Sequence, residues 1–250
     1  MNEIDILHQN LQRLKLDYLH EHCEQAAQKA AKNGISHLEF LNQLIAGQRD
    51  SLDERAIQRR IRNARFPFIK TLDNFDWTHP DKINRTQIQS FFHLRFLNNH
   101  GSVIYIGPTG VGKTHLAIAL AHHACIKGHR VFYSLAIDIV NHLVAAQQAN
   151  CFEKELQKFV RPEILLIDEL GYLPIDQRGA DTLFQVISQR YERTSTILTT
   201  NRRFQDWAKT FNNDSVLTSA LLDRLLHRAE VIVIEGNSYR TKAEITKTSP

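Results

Sequence analysis

The sequence predicts an α/β protein, with a five-stranded parallel sheet flanked by helices and a small all-helical domain ahead of it. Three observations carry this expectation. Apolar, β-type runs at 103–106, 131–135, 164–167, 196–199 and 231–234 alternate with helical segments, which is how a parallel sheet covered on both faces is built. Before about residue 66 only helical periodicity is found. A glycine-rich loop joins the first β-type run to a helical pattern, the arrangement by which such sheets bind phosphate.

The elements follow in order. Ile4, Leu7, Leu11 and Leu14 recur three and four residues apart and share one helix face. Ser36 and Glu39 form a capping box that starts a second helix, whose apolar face is continued by Leu38, Leu41, Leu44 and Ile45. Asn33 and Gly34 supply the turn between the two. Over 52–64, Arg55, Arg59 and Arg62 fall on one side of a helix, with Ile57, Ile61 and Ala64 on the other. That cationic side is either a solvated surface or a face that contacts the phosphates of DNA. Phe66-Pro67-Phe68 ends the helix, because proline disfavours helical geometry at the residue before it. The boundary divides a helical N-terminal DNA- or partner-binding domain, 1–68, from a nucleotide-binding domain, 69–250.

Composition narrows the class. The chain has 250 residues, 42% hydrophobic and 23% charged, enough for one full core and a smaller unit. A formal net charge of +4 permits a polyanionic partner without establishing one. Cys23, Cys125 and Cys151 share no metal-like spacing and cannot all pair, which argues against a disulfide framework and fits a reducing cytosol. The first five residues are acidic where a secretory signal would be basic, and no apolar run approaches the roughly 20 residues that span a bilayer. A cytoplasmic protein without a membrane partner is therefore expected. His20 and His22 lack an H-E-x-x-H spacing, and His115, His122 and His123 read as packing or surface residues, so no histidine metal site is expected. No serine or cysteine occupies a G-x-S-x-G elbow, which leaves covalent hydrolase chemistry without support.

Gly107-Pro108-Thr109-Gly110-Val111-Gly112-Lys113-Thr114 matches G-x-x-x-x-G-K-[ST] at every fixed position. Its glycines let backbone N–H groups turn inward around phosphate oxygens, and the following helix adds the positive end of its dipole. Lys113 is placed to reach the β and γ phosphates of ATP, and Thr114 to ligate Mg²⁺. Downstream, four apolar residues run into Asp168 and Glu169, as a buried strand presenting carboxylates at its C-terminal edge should. Asp168 is the candidate for the Mg²⁺ shell, and Glu169 for polarising a water that attacks the γ-phosphate. The next strand ends at Asn201, which is either a turn residue or a polar group that orients this water. A helix predicted over 216–228 pairs Arg224 with Arg228 at i, i+4. Phosphoryl transfer gains from an arginine supplied across a subunit interface, and Arg224 is a candidate for it; Arg240 is a second candidate, able to act within its own subunit.

The whole sequence resembles the IstB-like helper ATPases of bacterial insertion sequences, relatives of the DnaC helicase loaders and the DnaA initiator in the AAA+ superfamily. The resemblance rests on A-R-F-P-F-I-K-T-L-D-N-F-D-W at 64–77, the loop and its continuation to Ala117, and L-I-D-E-L-G-Y at 166–172. It rests further on T-T-N at 199–201, A-L-L-D-R-L at 220–225 and V-I-E-G-N-S-Y-R at 233–240. It implies an AAA+ P-loop ATPase fold without a separate C-terminal lid domain, since only ten residues follow Arg240. It implies that Asn201 is the first sensor, Arg224 the finger acting on a neighbour's ATP, and Arg240 the second sensor. It also implies ATP- and DNA-dependent homo-oligomerisation on duplex DNA and delivery of that target to a cognate transposase. The alternative is a DnaC-like replicative helicase loader. Between the strands at 131–135 and 164–167 an additional helix is expected, with Lys154 and Lys158 as phosphate contacts.

Overall fold

The structure, a computed structural model, describes residues 2–239. The chain divides into two compact units, one ending at Arg59 and one beginning at Arg60.

The first unit is helical. Helix α1 (Glu3–Arg13) and α2 (Asp17–Asn33) are followed by α3 (His37–Ala64), which continues past the division. Leu11, Leu19, Cys23 and Leu44 form its small core. The first helical stretch is thus two helices, broken where Lys15 takes a positive φ of 57°. Helix α2 stops at Gly34, which caps it at φ 64°, a left-handed conformation that glycine adopts without steric penalty. Ser36 Oγ accepts from the backbone N–H of Glu39 at 3.3 Å, one half of the expected box.

The second unit begins within the last turns of α3. Ala64 is fully buried in its core and Ile61 packs against it, which is why this unit starts before the 68/69 boundary read from the sequence. After α4 (Arg85–Phe91) come β1 (Ser102–Ile106), α5 (Lys113–Ile126), β2 (Val131–Leu135), α6 (Ala136–Gln148) and α7 (Phe152–Val160). Then follow β3 (Ile164–Leu170), α8 (Gln177–Arg190), β4 (Ser195–Thr200), α9 (Trp207–Thr210), α10 (Ser215–Leu226) and β5 (Ala229–Val233). The region between β2 and β3 therefore holds two helices.

All five strands are parallel, in the order β2-β3-β4-β1-β5. Strand β4 lies between β1, which leads into the glycine-rich loop, and β3, which ends in the acids. Side chains alternate between the two faces. Val103, Tyr105, Leu166 and Ile197 join α5 in one cluster; Ile104, Leu165, Ile167 and Leu198 join α6, α8 and α10 in the other. The expected helix over 216–228 ends at Leu226, because His227 is extended and Arg228 takes φ 59°. Arg224 and Arg228 are therefore not an i, i+4 pair on one helix. The last strand begins two residues earlier than its apolar run suggested.

Arg190, at the end of α8, is 2% exposed and lies beneath the sheet. Its guanidinium donates to the carbonyls of Phe159 (2.8 Å), Pro162 (3.0 Å), Val160 (3.2 Å) and Ser195, joining the end of α7 to the start of β4. Burial pushes its pKa down to about 9, so it remains a cation at neutral pH, and it makes no ion pair among the described residues. Arg190→Ala leaves these carbonyls unpaired over a cavity and is expected to cost about 3–5 kcal/mol of stability. A urea midpoint equal to that of the parent protein would show that water replaces the guanidinium.

Candidate functional site

The loop between β1 and α5 folds as its glycines require. Gly110 and Gly112 adopt φ values of 83° and 97°, where a side chain would be strained. A Cβ on Gly112 would also stand 2.6 Å from the Phe75 ring. Gly107 donates to the Thr200 carbonyl at 3.2 Å, which ties the start of the loop to the end of β4. Lys113 Nζ donates to the Pro108 carbonyl at 2.6 Å, bridging the loop.

The loop forms one wall of a cavity of about 620 Å³, of the size that takes a nucleotide. Thr109 through Thr114 line it, together with Glu169, Thr199 and Asn201. Phe68, Lys70, Asn74, Phe75, Asp76, His79, Pro80 and Tyr239 also line it. Phe75 contacts Trp77 and His115 edge-on, with ring centroids 4.9 and 5.2 Å apart. Burial, opposed by the hydrogen bond that the His115 ring donates to the Thr71 carbonyl and reinforced by Lys70, holds His115 below the usual histidine pKa. That segment, a domain boundary in the sequence reading, is a wall of the site. Its aromatic content, unusual for a linker, was the available signal.

Asp168 is 2% exposed and its carboxylate accepts three hydroxyl hydrogen bonds. Thr114 Oγ1 donates to Oδ1 at 2.9 Å, Thr199 Oγ1 donates to the same oxygen, and the Tyr133 hydroxyl donates to Oδ2 at 3.1 Å. Burial first, and then the Asp168 charge, raises the Tyr133 phenol above its ordinary value, so it stays protonated. The donor set, a cavity-lining threonine hydrogen-bonded to a buried carboxylate, fits a Mg²⁺ ion carried in with a nucleotide.

Glu169 reaches the cavity by an irregularity. Strict alternation would put it on the face of Leu165 and Ile167, beneath α6 and α8. The pairing of β3 with β4 instead shifts register between Ile167 and Leu170, so that Leu170 takes that buried face. Glu169 is the extra residue, at φ 59°, and its side chain is exposed and lines the cavity. Its backbone N–H donates to Thr199 Oγ1 at 3.0 Å. Asn201 lies just past β4 on the Thr199 side, and its buried Oδ1 has no hydrogen-bond partner among the described residues. An unpaired acceptor at this depth is costly unless something fills it.

Arg224 is elsewhere. It lines a small depression with Ser102 and Thr196, at the N-terminal ends of β1 and β4, while the loop and Asn201 follow the C-terminal ends. A five-residue strand spans about 16 Å, further than an arginine side chain extends. Its Nη1 donates to the Ala220 carbonyl at 2.8 Å and its guanidinium lies 4.8 Å over the Phe184 ring. Arg240 lies outside the described residues. Arg55 pairs with Asp17, and Arg59 and Arg62 are exposed. Lys154 is exposed on α7, and Lys158 pairs with Glu155. Among the described residues no group of three or more His, Cys, Asp or Glu is placed to hold a metal, and no helix is long and apolar enough to cross a membrane.

Known proteins share this arrangement along almost the entire chain. Residues 9–247 match the family of IstB-like ATP binding proteins. The ATP-binding protein named for insertion sequence IS21 of Pseudomonas aeruginosa is 39% identical over 97% of this chain and 90% of its own length. The one named for IS5376 of Geobacillus stearothermophilus is 38% identical over 94% of each. Among solved structures, the DnaC helicase loader superposes with a TM-score of 0.56 at 24% identity, over 70% of this chain and 99% of that one. DnaA from Aquifex aeolicus, bound to AMPPCP, superposes with a TM-score of 0.55 at 23% identity, over 71% of this chain and 53% of that one. The two structural likenesses establish the AAA+ fold, and the sequence match, which extends through helical and sheet regions alike, shows that the chain belongs to the IstB-like ATP binding protein family.

Proposed function

We propose that this chain is the ATP-hydrolysing, DNA-binding helper of an insertion sequence, which assembles on duplex DNA and brings it to the partner transposase. The observation that carries the reading is the convergence on one cavity of a glycine-rich phosphate loop, Thr114, which is hydrogen-bonded to the buried Asp168, and Glu169. The backbone of 107–114 and Lys113 bind the phosphates. Thr114 and Asp168 would hold Mg²⁺, which would supply charge neutralisation to the bound phosphates. Glu169 takes the proton of the attacking water, and Asn201 orients that water with its unpaired amide oxygen. Arg224 acts on the nucleotide of an adjoining subunit, because its own subunit's site is out of reach. Arg240 serves as the second sensor.

The remaining roles extend this reading. The helical first unit forms the DNA- or partner-binding domain and the sheet-containing unit, which begins within α3 ahead of the 68/69 boundary, the ATPase domain, in the cytoplasm. Arg55, Arg59 and Arg62, with Lys154 and Lys158, contact DNA phosphates without reading sequence. Nucleotide bound at subunit junctions holds the protomers in the gripping arrangement, so that many weak ionic contacts act together.

Binding to a duplex should therefore require ATP and Mg²⁺. With about six phosphates contacted, affinity should fall by ~10³-fold between ~50 and ~200 mM salt. Fluorescence anisotropy on labelled duplex and single-stranded DNA, with and without nucleotide, checks this. Affinity indifferent to nucleotide, or a preference for single strands, would overturn the proposal.

A further inference from the structure

The carboxylate of Asp168 is held from three elements. Thr114 lies in the first turn of α5, Thr199 is the next-to-last residue of β4, and Tyr133 stands on β2 at the sheet edge. The two threonines share Oδ1, whereas Oδ2 receives the Tyr133 hydroxyl at 3.1 Å. Tyr133 lies outside every motif that points to the site. Its ring is half-buried on the α5 face of the sheet, 6.5 Å from Phe66 in an edge-on contact, so the ring has a packing role and the hydroxyl a separate one.

We infer that Tyr133 is a positioning residue for the metal-binding carboxylate: its hydroxyl fixes the rotation of Asp168 and so the direction in which Oδ1 meets Thr114. The last torsion of an aspartate is broad and nearly two-fold, and packing alone does not lock it. Two donors on one oxygen fix a point, and a donor on the other oxygen fixes the plane. Removing the phenol oxygen leaves Oδ2 unpaired in a site 2% exposed, and the carboxylate turns to find another partner. Groups in this outer position, hydrogen-bonded to a metal-holding carboxylate, alter metal affinity by ~10–100-fold when removed.

The inference rests on Asp168 holding the metal, and the experiment separates the two claims. Mn²⁺ replaces Mg²⁺ as a paramagnetic probe, and its binding to the full chain with AMPPCP is followed by the loss of the free-ion EPR signal. Tyr133→Phe should raise the apparent Mn²⁺ dissociation constant by ~10-fold or more. The variant should remain folded at the assay temperature, and its affinity for AMPPCP in EDTA should match that of the parent protein. Asp168→Asn is the control. If Asp168→Asn weakens Mn²⁺ binding and Tyr133→Phe does not, the positioning role is overturned. If neither does, the metal assignment of Asp168 fails first. A Tyr133→Phe effect that appears equally in EDTA would show a general loss of site structure and would also overturn the inference.

Discussion

Glu169→Gln should bind ATP as the parent protein does and hydrolyse it about 10²–10⁴-fold more slowly, the usual contribution of a positioned general base. Glutamine keeps the volume and the backbone preferences of glutamate but cannot take a proton. The Glu169 N–H to Thr199 hydrogen bond at 3.0 Å is a backbone contact and survives the change, so the site should not collapse. On the proposed function, in which turnover dissolves DNA-bound assemblies, those of the variant should outlive those of the parent. Phosphate release gives the rate, and dissociation from labelled duplex after ATP is diluted gives the lifetime. Equal turnover in the two proteins would remove Glu169 from the reaction.

Arg224→Ala should reduce turnover at least as strongly, by ~10³-fold or more, the effect of losing an arginine supplied in trans. The sharper measurement mixes this variant with Lys113→Ala. Each alone should be inactive, one lacking the finger and the other the phosphate loop. Where an intact Arg224 of a Lys113→Ala subunit faces the intact loop of an Arg224→Ala subunit, hydrolysis should return. In a head-to-tail assembly of equal parts, about a quarter of the junctions meet that condition. No recovery at any mixing ratio would show that Arg224 does not act across a junction.

The parts of the site that read clearly in the sequence are those whose chemistry is local. Gly110 and Gly112 are required by their own backbone angles, Lys113 and Thr114 follow directly, and the apolar run before Asp168 declares a buried strand. Glu169 was recognisable as a residue type but not as a direction. Simple alternation sends it to the wrong face, and only the register shift against β4 corrects that. Thr199 and Tyr133 reach Asp168 because β2, β3 and β4 are neighbours in the sheet, a fact with no signature in the spacing of any one strand. Lys15 breaks the first helical stretch without a glycine or proline to announce it. Arg190 carried no motif, because its partners are backbone carbonyls, which every residue possesses.

The left-handed backbone at Glu169 sets two kinds of fitness against each other. Of all residues, glycine would sit there with least strain, and relief of such strain commonly adds to thermal resistance. A population selected for heat tolerance alone would therefore drift toward glycine at this position, gaining a sturdier fold and, on the role proposed for Glu169, losing the ability to spend its fuel. On that role, demand for turnover is what keeps an acid in so uncomfortable a place.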